Sequence, residues 1–102
     1  MKPDLQQLTL VFPDELEGVV LDALGAIAPE QPFTLLHATG HGRDFATASG
    51  RERVRGQVGR RVLWVVGPMS ELAQLLGELR KRVYSRDLVW WRTPVGAFGD
   101  LS

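Results

Sequence analysis

Four arginines, Arg43, Arg51, Arg53 and Arg55, are interspersed with five glycines, Gly40, Gly42, Gly50, Gly56 and Gly59. Guanidinium forks hold phosphate or carboxylate groups bidentately, and glycines let backbone N–H groups converge on the same anion. The stretch reads as an anion clamp or, equally, as a solvated arm kept soluble by its charge. The two histidines, His37 and His41, stand beside it with Asp44, a donor set suited to Zn, Cu or Ni. Four residues along a strand put the two imidazoles roughly 13 Å apart, too far for one ion within a single copy. The ligand count is also sparse for a metal site, so a packed His37 and a surface His41 are the favoured reading. Trp64, Trp90 and Trp91 raise base stacking, as on the sheets of some RNA-binding domains. RRVLWVV lacks the glycine and aromatic pattern of such motifs, so core or interface packing is favoured and no nucleic-acid partner is expected. No nucleophile elbow, H-E-x-x-H or P-loop occurs. The chain reads as a binding module, not an enzyme, and the residues name no cofactor.

The positive charge is concentrated where those arginines lie. Residues 1–38 carry one Lys and six acids, residues 39–61 six Arg and two acids, and residues 62–102 five bases and four acids. A chain of zero net charge thus has a local excess of about plus four, which calls for an anionic ligand or an acidic protein surface. Its 102 residues make one domain with a modest core, and its hydrophobic and charged fractions, 44% and 24%, are ordinary for a globular protein. The absence of cysteine excludes disulfides, thiolate metal sites and a cysteine nucleophile. No apolar run reaches signal-peptide or membrane-span length, so a soluble, cytoplasmic protein is expected.

The elements that must position these residues follow from periodicity. Alternation at Leu8, Leu10 and Phe12 predicts a first strand, ended by Pro13. Asp14 to Glu17 has a capping-box pattern, and Leu16, Val19, Val20, Ala23, Leu24 and Ile27 follow at helical spacing until Pro29. A second strand spans Phe33 to Thr39. A third runs from about Arg60 to Val66 and is broken by Gly67-Pro68. Ser70 is the expected cap of a second helix with its stripe at Leu72, Leu75, Leu76, Leu79 and Val83. Arg80, Lys81 and Arg82 in its last turns suit the helix dipole. Asp87 to Thr93 is the fourth strand, and the tail adds a short edge element or frays. The arm, at about 40–59, is far longer than the two to five residues a hairpin needs, and its length, glycines and charge predict mobility without ligand.

The order β-α-β-β-α-β predicts an α+β, ferredoxin-like sandwich with both helices on one face of an antiparallel sheet. The strands are nevertheless apolar on both faces: Val62, Trp64 and Val66 oppose Leu63 and Val65, and Val89 and Trp91 oppose Leu88 and Trp90. A sheet face open to water would carry polar residues, and an exposed patch of this kind exceeds what monomers tolerate. Self-association through the open face is the simplest resolution.

The element order, the long arm, and the run Ala38-Thr39-Gly40-His41-Gly42-Arg43-Asp44 are similar to PII signalling proteins, in which a G-x-G-R-Q strand end opens a loop called the T-loop. Gly40, Gly42 and Arg43 match it; Asp44 stands where those proteins have Gln. The phrases TLVFPDELEG, PFTLLHATGHGRDFATASGRERVRG, RRVLWVV and VWW resemble, over nearly the whole chain, the small PII-like family DUF3240. The resemblance implies a homotrimer that holds a small effector, an anion or nucleotide, in clefts between subunits and signals through its arm to a membrane transporter or other protein target. Gly40, Gly42 and Arg43 of one subunit, with Arg86 and Arg92 of another, would form the ligand site. It also links the family loosely to heavy-metal efflux, where a metal site at His37, His41 and Asp44 is the alternative. One departure argues against ATP binding of the PII kind: Val83-Tyr84-Ser85-Arg86-Asp87 has no glycine where those proteins have a second glycine-rich loop.

Overall fold

A computed structural model describes residues 4–41 and 57–102. Its elements are β1 (Leu5–Pro13), a 3-10 turn (Asp14–Leu16), α1 (Glu17–Ile27), β2 (Thr34–His41), β3 (Gln57–Pro68), α2 (Met69–Arg82) and β4 (Val89–Pro94). The strands form one antiparallel sheet in the order β2-β3-β1-β4, so β1 and β3 are central and β2 and β4 are edges. This is a small α+β fold compatible with the ferredoxin-like arrangement.

Residues directly opposite one another in an antiparallel ladder share a face. Leu8 opposes Val65, and Leu10 opposes Leu63; with Phe12 these are fully or almost fully buried, packed against Val20 and Leu24 of α1 and Leu72, Leu76 and Leu79 of α2. Both helices therefore cover this one face. On the other face Thr9 opposes both Trp64 and Trp91, and Val11 opposes Val62 and Val89. No described helix lies over them, and Trp64, Trp91 and Val89 are 38%, 46% and 53% exposed. The two-faced apolar pattern of the strands is thus present in three dimensions.

Several element ends differ from the sequence expectation. The capping box at Asp14 and Glu17 does not form: Pro13 leads into a 3-10 turn, α1 starts without a side-chain cap, and Asp14 and Glu15 lie in the turn itself. Glu17 is engaged elsewhere, its Oε1 accepting a hydrogen bond of 2.6 Å from Arg61 Nε of β3. Ser70 is not the cap of α2, which begins two residues earlier than that cap would give, with Pro68 as N-cap. The Met69 N–H instead donates to the carbonyl of Asp4 at 2.8 Å, so main chain from β1's start satisfies one free amide of the helix. Gly67-Pro68 does not interrupt β3, which pairs with β1 as far as Leu5 opposite Pro68. A Cβ at Gly67 would make only an ordinary contact, 3.6 Å from Leu72 Cδ2 of α2. β4 starts at Val89, not Asp87, because the Ser85 hydroxyl accepts from the Asp87 N–H at 3.1 Å and prolongs the preceding turn.

The hairpin ladder extends into both ends of the expected arm, pairing Gly40 with Val58 and His41 with Gln57. Arg60 and Arg61, counted with the positive stretch, belong to β3; Arg60 is buried and Arg61 is bound to Glu17. The rest of the arm, with four arginines against two acids, lies outside the described residues. Beyond β4, the Val95 N–H donates to the Leu5 carbonyl at 3.0 Å and carries the edge one residue further. The Ser102 hydroxyl, then its amide, donates to Asp100 and holds that exposed carboxyl below its usual range. No described helix is long and apolar enough to cross a membrane.

Candidate ligand-binding cleft

α2 crosses the sheet with Leu72, Leu75, Leu76 and Leu79 buried beneath it. Its spacing puts Leu76, Leu79, Arg80 and Val83 on neighbouring ridges, the i, i+3, i+4, i+7 set of one helix face. β4 is an edge strand, so the helical cover runs out over it. Between the two opens a cleft of about 720 Å³, within the range of small-molecule sites. Leu76, Leu79, Val83, Leu88 and Trp90 make its apolar floor and wall. Arg80 and Arg86 contribute its charge, Tyr84 and Ser85 the remaining polar groups, and no acid is among its lining residues. Tyr84 stands on the rim, fully exposed. The Leu88 N–H turns back to the Ser85 carbonyl at 3.4 Å, and this short connection sets Arg86 at the mouth.

Arg92 lies next along the strand on the Trp90 side, its guanidinium carbon 5.9 Å from the Trp90 ring centroid. It does not line the cleft. Its Nη1 is buried without a hydrogen-bond partner, as is Oε1 of Gln6, which opposes Pro94 on the same face of β1.

The expected site residues are distributed as follows. Gly40 is half-buried in β2, Arg86 is exposed at the cleft mouth, and Arg92 is largely covered in β4. Gly42, Arg43 and Asp44 lie outside the described residues. Within one chain Gly40 and the two arginines are not brought together, because β2 and β4 are opposite edges with two strands between them; that separation is roughly 14 Å. They do share one end of the sheet. Gly40 lies past the Pro13 end of β1, and Val89, just after Arg86, pairs with Val11 near that end.

His37 is exposed, opposite Arg61, and not packed as expected, since β2 is an edge strand with no neighbour beyond it. His41 is exposed opposite Gln57. No group of three His, Cys, Asp or Glu among the described residues is placed to hold a metal ion. The sequence reading missed Arg80, Tyr84 and Trp90. The sequence ties Arg80 to the helix dipole and Trp90 to packing; the available signal is Trp90's parity with Leu88, which just precedes the edge strand.

The same fold occurs in a DUF3240 family protein from Shewanella baltica OS155, with TM-score 0.74, 20% identity and all of both chains covered. It occurs also in a functionally unknown protein from Pediococcus pentosaceus ATCC 25745, with TM-score 0.71 and 14% identity over 98% of this chain and all of that one. A Bacillus cereus protein related to NIF3 contains it in 26% of its length, with TM-score 0.64 and 12% identity over 93% of this chain. Such identities speak for the fold alone. No curated protein matches the chain in sequence. The family model described as "Protein of unknown function (DUF3240)" matches residues 3–102, and the chain belongs to that family.

Proposed function

We propose that this chain is a PII-like regulatory protein: a homotrimer that binds a small anionic effector between subunits and passes that state to a partner protein through residues 42–56. The observation that carries the reading is the placement of charge. The base of the arginine-rich arm and the Arg80–Arg86 cleft lie at one end of the sheet but on opposite edges. An edge-to-edge ring of copies would bring Arg43 of one subunit towards Arg86 of the next, so that guanidinium groups of both face one bound anion. The uncovered apolar sheet face supplies a reason for copies to associate. In this reading the protein is a cytoplasmic sensor rather than an enzyme, and a transporter or other protein is its target.

A thermal-shift panel tests it. Inorganic phosphate, adenine nucleotides and the metals Zn, Cu and Ni are each added to wild type, Arg43→Ala and His41→Ala, since a ligand that binds only the folded state raises Tm. Stabilisation by an anion that Arg43→Ala abolishes is expected. If His41→Ala abolishes a metal's stabilisation while Arg43→Ala changes nothing, the anion reading fails and metal sensing replaces it.

A further inference from the structure

We propose that the cleft between α2 and β4 takes an aromatic carboxylate, its ring lying on Trp90 and its carboxylate between Arg80 and Arg86. The inference rests on the anionic-effector reading and names the ligand's chemical class.

Two properties of the cleft decide that class. Its floor is hydrocarbon and indole, with Leu76, Leu79, Val83 and Leu88 around Trp90. A bare inorganic anion would gain nothing from that surface and would lose hydration above it. Its charged groups are guanidinium only. Arg80 and Arg86 form no ion pair among the described residues, whereas neighbouring Lys81 is paired with Glu78 at 3.1 Å. A neutral apolar ligand would leave both forks unused. The end of α2 opposes an anion through its carbonyl dipole, worth about half a charge; Arg80 and Arg86 outweigh it at the cleft, with Arg92 behind Trp90. The Arg92 guanidinium also polarises the indole, and Trp90 is 40% exposed, so much of its surface is open to a stacked ring. Planar bodies stack on indole at low cost in conformational freedom.

The test uses the full chain, labelled with 15N, and follows its three indole N–H signals during titration. The probes are 2-naphthoate, acetate (the head without the body) and 2-naphthalenemethanol (the body without the head). Trp90→Phe identifies the Trp90 signal. Naphthoate is expected to move that signal and leave those of Trp64 and Trp91 in place, while the other two probes act far more weakly. Arg80→Ala with Arg86→Ala, both on exposed positions, should weaken naphthoate binding by about tenfold or more. An unmoved Trp90 signal, equal response to the alcohol, or unchanged affinity in the double variant would overturn the proposal. Failure here with phosphate or nucleotide stabilisation that depends on Arg43 overturns only the ligand class. Naphthoate binding at Trp90 with Arg43→Ala silent towards every anion supports the cleft and overturns the role of the arm.

Discussion

Glu17 illustrates how a single residue is claimed by the fold rather than by its local pattern. Its spacing from Asp14 fits a capping box, yet its carboxylate holds Arg61, 44 positions away in sequence. A charge-assisted bond at 2.6 Å in a half-buried setting outweighs a reach back to a solvated amide, and it ties the start of α1 to β3. Glu17→Ala is therefore expected to lower stability by about 1–2 kcal/mol, read as a lower urea midpoint at unchanged m value. A larger loss belongs to the centre of the core. Leu63 has no exposed surface and opposes Leu10 and Leu35 across two strand pairs, so Leu63→Ala should cost about 2–5 kcal/mol. The Leu63 burial was legible from alternation alone. The Glu17–Arg61 pair was not, because it depends on the register of β3 against β1. The exposure of His37 is not legible for a related reason: nothing local to the sequence says that β2 is an edge.

At the scale of elements, order and type could be read from periodicity, and boundaries could not. Both helices and all four strands stand where the 3.6 and 2.0 periods put them. Their ends are set by long-range partners: Asp4 receives the first amide of α2, Ser85 holds the turn before β4, and Val58 extends β2 through Gly40. Cleft formation is a property of the same scale, since it needs α2 to run past the last covered strand. The helices also retain local weaknesses. Gly25 in α1 and Gly77 in α2 are exposed, and an added Cβ would meet no atom within 4 Å. Gly25→Ala and Gly77→Ala should each stabilise the fold by about 0.5–1 kcal/mol, because alanine restricts the unfolded chain and suits a helix interior. A rise in the thermal midpoint for each, additive in the double variant, checks this; a fall in either would mean that a partner surface approaches the helix there.

For the whole molecule the decisive feature is the asymmetry between the two faces of the sheet. One face is closed by α1 and α2 over a continuous core. The other presents Trp64 and Trp91 on either side of a buried Thr9, with Val62, Val66 and Val89 around them. Burial of aromatic surface contributes roughly 25 cal/mol per Å² removed from water, and indoles offer the largest area per side chain. The proposed trimer would bury this face and have three times the mass of the 11.3 kDa chain. Trp64→Glu or Trp91→Glu places an unpaired carboxylate in that interface, whose desolvation exceeds any contact it retains, so either should reduce the particle to single chains. Trp90→Glu supplies the control, because Trp90 opposes Leu10 on the helical face and reaches the cleft instead. It should weaken the assembly less than either, because it adds its charge at the edge cleft and not on the open face. Light scattering at micromolar concentration reads all three. A wild-type monomer, or equal dissociation by the Trp90 variant, would mean that the open face is not where copies meet.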